Sequence, residues 1–157
     1  VFIVCLALTT LFTAMFYFPG KKDVEFMFLL NFLKSLAYAP TVPLLWAMIA
    51  DVADYSEYVN HRRATGLVFA GVVFALKAGL GIGGAILGFL LSGFGYVSGA
   101  GVNQSDTAIN GILLSSSLIP AATFFIGVLA LYFYPITKKY NQKMQAELLV
   151  YRSKSEN

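Results

Sequence analysis

Charged residues, cysteine and histidine are all scarce in this sequence of 157 residues. Only 12% of the residues are charged, against about 25% in an average globular protein, whereas 58% are hydrophobic. The single cysteine, Cys5, excludes a disulfide within the chain and a cluster of thiolate metal ligands. The single histidine, His61, excludes a site with two imidazole ligands. We therefore predict no metal site.

Signals for nucleic-acid binding and for catalysis are also weak. The net charge is only +3, and most basic residues fall in one loop and the tail, so no basic surface that follows a phosphate backbone is predicted. Residues 79–84 match the dinucleotide pattern G-x-G-x-x-G, but they lie inside an apolar run rather than between a strand and a helix. No nucleophile–base pair is recognisable. The sequence predicts neither a nucleic-acid partner nor an enzyme.

Long apolar runs are what the sequence has in abundance. A helix that crosses the hydrocarbon core of a bilayer needs about 20 mostly apolar residues. The runs predict an all-α membrane protein with four transmembrane helices within residues 1–135 and a hydrophilic tail at residues 136–157. The predicted helices cover about residues 1–18, 25–50, 64–94 and 111–134. The first run starts at Val1 without an initiator methionine, and the helices contain polar residues that need partners, so we expect further helices before Val1.

Basic residues in the connections predict the orientation. Lysine and arginine are enriched in short cytoplasmic loops. Seven lie in loop 51–63 and the tail: Arg62, Arg63, Lys138, Lys139, Lys143, Arg152 and Lys154. Lys21 and Lys22 lie in the first connection, and loop 97–110 has no basic residue. We expect a multi-pass protein of the plasma (inner) membrane, with loop 51–63 and the tail in the cytoplasm. Apolar residues at helical spacing in the tail predict an amphipathic helix on the membrane surface or against the protein's own loops.

Lys77 is the only charged residue of the third predicted helix, about 15–20 Å from its cytoplasmic end. A lysine at that depth costs about 2.5–3.5 kcal/mol, so its ammonium must face a carboxylate, a polar ligand or water. Two roles are open: a structural ion pair, and substrate binding or coupling. Trp46, near the cytoplasmic interface, fits an aromatic belt, helix packing or stacking on a sugar.

Small residues share the face of the predicted helix that carries Lys77. Gly81, Gly84 and Gly88 follow Lys77 at spacings of about one helical turn. Such stripes let helix backbones approach closely, so we predict that these glycines pack against another helix; room for a ligand is the alternative.

An acidic cluster follows the second predicted helix. Asp51, Asp54 and Glu57 are three residues apart, and Arg62 and Arg63 follow them. If the helix continues past Ala50, the carboxylates share one face. The cluster is either a solvated loop or a charge network that joins cytoplasmic helix ends in one transport state and separates in the other.

These residues together resemble a known family. The strings PLLWAMIADVADYSE (residues 43–57), RRATGL (62–67) and FALKAG (74–79) resemble glycoside–pentoside–hexuronide:cation symporters, the melibiose-permease-like branch of the major facilitator superfamily. The resemblance covers roughly residues 26–139. It implies a twelve-helix fold in which these helices are nine to twelve.

The resemblance also implies a function: sugar uptake driven by sodium, lithium or proton entry. In that family the lysine of helix eleven, here Lys77, lies in the sugar and cation region, and the residues at Asp51, Asp54 and Arg63 are linked to conformational change. The cation-binding acids and the main sugar-binding acids lie in the amino-terminal half, which we expect to be missing here. Val72 and Val73 are apolar where melibiose permease has polar residues, which favours a pentoside or hexuronide.

Two alternatives remain from the sequence. A lipid or drug transporter can have the same fold, because fold does not determine function. A non-transporting membrane subunit is the other, with Lys77 as an ion-pair residue for assembly.

Overall fold

The computed structural model describes residues 1–20, 23–62, 64–99, 103–136 and 138–155, and these residues form helices but no strand. The helices in chain order are α1 (Phe2–Met15), α2 (Val24–Tyr38), α3 (Thr41–Asn60), α4 (Thr65–Gly93), α5 (Asp106–Ser116), α6 (Leu118–Tyr132) and α7 (Lys138–Ser155). Three helical stretches are long and apolar enough to cross a membrane: α2 with α3, α4 alone, and α5 with α6. The predicted all-α membrane fold is confirmed.

The first apolar helix is shorter than a full span. α1 has 14 residues, or about 21 Å at 1.5 Å per residue, whereas the hydrocarbon core is about 30 Å thick. The chain then continues in tight turns, because the N–H groups of Phe16 and Phe18 donate to carbonyls three residues back. Helix therefore covers Phe2–Met15 of the predicted segment 1–18.

The second predicted helix is divided at Pro40 and continues further than expected. Proline has no N–H group for the helical hydrogen-bond pattern. At this break the Thr41 hydroxyl donates to the carbonyl of Tyr38, the last residue of α2, at 2.6 Å. α3 then runs to Asn60 and ends at His61, whose φ of 51° is left-handed. Most of the predicted polar loop 51–63 is thus the last part of a helix.

The fourth predicted helix is also interrupted. Its helical region begins at Asp106 rather than 111, since the Ser105 hydroxyl caps the helix by accepting from the Ala108 N–H at 3.2 Å. A break follows at Ser117, one turn before Pro120, which has no N–H to donate to the Ser116 carbonyl.

The chain divides into two compact units. The first, residues Val1–Thr41 and Ala78–Tyr132, packs α1 against α2 and α6, and α5 against α6. Thr9 and Thr13 are fully buried in it, and their hydroxyls donate to the Cys5 and Thr9 carbonyls at 2.8 and 2.7 Å. Helix backbone therefore satisfies these buried hydroxyls.

The second unit comprises residues Val42–Lys77 and Phe133–Asn157, and it contains the acidic cluster. Here α7 lies along the C-terminal half of α3. The two helices run in the same direction, because the contacting positions rise together from Asp51 with Asn141 to His61 with Tyr151. Ile49 and Ala53 of α3 and Met144 and Leu148 of α7 are buried.

Candidate functional site

The three acidic residues of the predicted cluster lie on one face of α3. Asp51, Asp54 and Glu57 share this face because α3 continues as a helix to Asn60, so a spacing of three residues is about one turn. Glu57 is buried, whereas Asp51 and Asp54 are partly exposed. The arrangement concentrates three carboxylates on the surface against which α7 packs.

Arg152 of α7 binds two of these carboxylates. Its Nε and Nη2 atoms donate to Glu57 Oε1 and Oε2 at 3.0 and 2.7 Å, and Nη2 also donates to Asp54 Oδ1 at 2.9 Å. The paired contacts with Glu57 are the bidentate geometry that a planar guanidinium forms with a carboxylate. The hydrogen bonds that Arg152 donates to Glu57, and then the one to Asp54, raise the pKa of Arg152 above its already high value. The arginine is therefore always charged in this site.

Two amides of α7 complete the polar contact. Gln145 Nε2 donates to Asp54 Oδ2 at 2.6 Å, and Asn141 Nδ2 donates to Asp51 Oδ1 at 2.8 Å. Positions 141, 145 and 152 recur at helical spacing, so one stripe of α7 faces the acidic face of α3.

Apolar and aromatic contacts flank this polar stripe. Met144 and Leu148 of α7 are only 1% and 2% exposed, so the predicted apolar repeat of the tail does have a buried face. The Tyr58 hydroxyl donates to Glu147 Oε2 at 2.5 Å. The rings of His61 and Tyr151 lie 5.4 Å apart between centroids. Polar and apolar contacts together hold α7 on α3.

The two arginines that the sequence grouped with the carboxylates are placed differently. Arg62 is exposed beyond the end of α3, and within the described part of the chain it makes no ion pair with the cluster. Arg63 lies outside the described residues. Arg152 is the partner that sequence reasoning missed. Its signal was the spacing from Asn141 and Gln145, but that spacing alone does not identify α3 as the facing helix.

Lys77 lies in the middle of α4, about 18 Å along the axis from Thr65. Its side chain is exposed, and among the residues described no carboxylate pairs with it. The structure therefore does not test whether Lys77 forms an ion pair or binds a substrate, and both roles remain predictions.

Trp46 has an aromatic neighbour within the second unit. Its ring lies parallel to that of Phe69, with centroids 6.3 Å apart and an interplanar angle of 9°. Packing between α3 and α4 thus accounts for the indole in this structure. Stacking of Trp46 on a sugar stays a prediction.

The glycines of the predicted packing stripe lie on an open surface. A Cβ atom added to Gly81, Gly84 or Gly88 meets no atom of the described residues within 4 Å. α4 has no buried residue at all in this structure. Packing of this face against another helix stays a prediction.

Comparison with known proteins gives consistent matches. The family model described as MFS/sugar transport protein matches residues 1–138. The inner membrane symporter YicJ of Escherichia coli is 34% identical over 125 residues, which is 79% of this chain and 27% of that protein. The putative glycoside/cation symporter YagG of Escherichia coli is 29% identical over 144 residues, or 92% of this chain and 31% of that protein. The isoprimeverose transporter of Lactiplantibacillus pentosus is 41% identical over 105 residues, covering 67% of this chain and 21% of that protein. No solved structure matches the chain significantly.

Proposed function

Because the chain belongs to the MFS/sugar transport protein family, we propose that it is part of a cation-coupled symporter that imports a small sugar by alternating access. The family is one of transporters, which agrees with the expectation that the chain is not an enzyme. The chain spans between about a fifth and a third of the length of the relatives described above.

The match over residues 1–138 carries the proposal, and two kinds of relative refine it. One is named for a glycoside and a cation, and another for isoprimeverose. We therefore propose a pentoside, hexuronide or other small glycoside as the substrate and sodium or a proton as the coupling ion. Since this chain corresponds to 27% of YicJ, the cation ligands and the main sugar ligands belong, in this proposal, to helices outside it.

The acidic face of α3 supports a conformational role within that activity. Alternating access needs contacts that form in one state and break in the other. In this proposal the ion pairs of Arg152 with Asp54 and Glu57 are contacts of this kind. In this proposal the protein lies in the inner membrane. The side with α3 and α7 faces the cytoplasm, because the basic residues are enriched there.

Uptake of labelled sugars by the complete gene product tests the proposal. Glycosides, pentosides and hexuronides are supplied to proteoliposomes with a sodium gradient, a proton gradient or neither. We expect accumulation of one sugar class that requires one of the gradients. Correctly inserted protein that takes up no sugar would contradict the symporter and favour a lipid or drug transporter, or a non-transporting subunit.

A further inference from the structure

A cleft of about 390 Å³ lies between the C-terminal ends of α3 and α7, and the proposed function makes no use of it. Ligand clefts in proteins measure about 300–1,000 Å³, so this one has the size for a small molecule. Its lining residues belong to α3, to the residue after it and to α7: Tyr58, His61, Glu147, Leu148 and Tyr151. Both sides of the cleft lie within the second compact unit.

Aromatic rings form much of the wall of this cleft. They belong to Tyr58, His61 and Tyr151. His61 has a φ of 51°, which is uncommon for a residue other than glycine, and its ring lies 5.4 Å from that of Tyr151 between centroids. The faces of tyrosine rings attract cations. The wall therefore favours a cation over an anion.

Glu147 gives the cleft a negative charge. Its Oε2 accepts a hydrogen bond from the Tyr58 hydroxyl at 2.5 Å, which holds the carboxylate beside an aromatic side chain. Its Oε1 lies 3.8 Å from Lys143 Nζ, so this carboxylate already attracts one ammonium group. The Glu147 side chain is 45% exposed, so a ligand can reach it from water. A carboxylate beside aromatic rings attracts an organic ammonium ion through its charge and through the ring faces.

The position of the cleft along α3 favours a ligand from the aqueous phase. α3 carries the carboxylates of Asp51 and Asp54, which are costly to place in hydrocarbon. Tyr58 lies about 10 Å further along the same helix than Asp51, at 1.5 Å per residue. The cleft thus lies beyond the first carboxylates of the helix, which favours a dissolved ammonium ion over a lipid headgroup.

We propose that this cleft binds a small water-soluble organic ammonium ion. The carboxylate of Glu147 is its counter-charge, and the rings of Tyr58 and Tyr151 lie against its alkyl groups. Because the lining residues come from both helices, the bound ion also stabilises the packing of α7 on α3. No role in sugar transport is assigned to these residues, so the ammonium site stands apart from the proposed function.

Protection of His61 from diethyl pyrocarbonate tests the site without sugar or an ion gradient. The complete gene product is modified in phosphatidylglycerol nanodiscs, and mass spectrometry follows His61 together with the exposed Lys139 as an internal control. We expect saturating tetramethylammonium chloride to slow modification of His61 at least about threefold and to leave Lys139 unaffected. Equal concentrations of sodium chloride, or of the neutral tert-butanol, should have little effect. No protection by tetramethylammonium, or equal protection by either control compound, would overturn the proposal.

Two variants of α7 should shift the half-protecting concentration of tetramethylammonium in opposite directions. Glu147→Gln removes the charge but keeps an acceptor for the Tyr58 hydroxyl, so we expect this concentration to rise about three- to fivefold. Lys143→Gln removes the ammonium that competes for the same carboxylate, so we expect it to fall about twofold. An unchanged concentration in Glu147→Gln would show that Glu147 is not the counter-charge, which contradicts the proposal.

A change of lipid distinguishes a dissolved ligand from a headgroup. Phosphatidylcholine carries a quaternary ammonium group, whereas phosphatidylglycerol carries none. We expect His61 to be modified at the same rate in nanodiscs of either lipid when no ligand is added. Slower modification in phosphatidylcholine would assign the cleft to a headgroup and overturn the proposal of a soluble ligand. Failure of sugar uptake would contradict only the proposed function, because none of these measurements depends on transport.

Discussion

Lys77 lies in a membrane-crossing helix and has no ion-pair partner among the described residues. It is exposed on an apolar helix of 29 residues, at a depth where an unpartnered lysine costs about 2.5–3.5 kcal/mol. We expect Lys77→Gln in the complete gene product to abolish sugar accumulation while the amount of protein in the membrane stays the same. Gradient-driven uptake, normalised to membrane protein by immunoblot, measures this.

Lys34 provides a matched control for that substitution. Its ammonium lies 5.6 Å from the centroid of the Phe16 ring, a cation–π contact that contributes about 0.5–1 kcal/mol. Lys34→Gln removes the same charge from another apolar helix. Because no role in substrate binding or coupling is assigned to Lys34, we expect this variant to retain most of the uptake. Accumulation at the wild-type level by Lys77→Gln would show that the assignment of Lys77 to substrate binding or coupling is wrong.

Gly111 has a closer side-chain neighbour than the other glycines compared among the described residues. A Cβ atom added there would lie 2.6 Å from Cβ and Cγ of Phe94, so Gly111→Ala forces the ring or the helix to move. Overpacking of this kind destabilises by about 1–3 kcal/mol. We expect a lower midpoint of thermal unfolding in detergent.

A second substitution tests the cause of that loss. Phe94→Leu makes room beside residue 111, so Gly111→Ala is expected to cost less in the Phe94→Leu background than in the wild type. An equal shift of the midpoint in both backgrounds would mean that Phe94 is not the obstacle.

At the scale of the helix, the apolar runs predicted where helices lie, but the sequence did not predict where two of them break. α4, at Thr65–Gly93, lies where the sequence placed a helix at 64–94, because a long apolar run has few alternatives in a bilayer. The breaks at Pro40 and before Pro120 were not predicted, since the apolar runs indicated continuous helices over residues 25–50 and 111–134. A membrane helix tolerates proline when neighbouring groups satisfy the freed carbonyls, and those neighbours are not visible in the sequence.

Adjacent leucines of α7 offer a test of how this helix is held. Leu148 is 2% exposed and Leu149 is 66% exposed. Truncation of a buried leucine costs about 2–5 kcal/mol, so Leu148→Ala should loosen α7 and speed tryptic cleavage at its lysines and arginines. Leu149→Ala should leave the cleavage rate unchanged. Equal rates in the two variants would contradict packing of α7 through Leu148.

At the scale of the whole molecule, the distribution of basic residues predicts sidedness. We expect α7 in the cytoplasm and residues 103–105 outside, because short cytoplasmic connections are enriched in lysine and arginine. In a Cys5→Ala background, an impermeant thiol reagent should label Asn103→Cys in intact cells and Lys139→Cys only after permeabilisation. The reverse pattern of labelling would contradict this orientation.

Half of the candidate site could be predicted from the sequence. The sequence grouped Asp51, Asp54 and Glu57 because they follow an apolar run at spacings of three residues. Their common face required only that the helix continue past Ala50, as α3 does. Arg152 could not be assigned to them, since it lies 95 residues from Glu57 along the chain. A contact over that separation depends on how α7 packs, and helical spacing gives the face of a helix but not its partner.

The apolar length of α4 has a consequence for how the protein is made. Because α4 is long and apolar enough to cross a membrane by itself, we expect it to leave the translocon for the lipid before its neighbours pack against it. On the insertion scale each leucine, isoleucine, phenylalanine or valine contributes about −0.3 to −0.6 kcal/mol, so about seven of them near the centre offset one lysine. We therefore expect the apolar residues around Lys77 to bring its charge into the bilayer during synthesis, so that a partner for the ammonium is needed only at assembly.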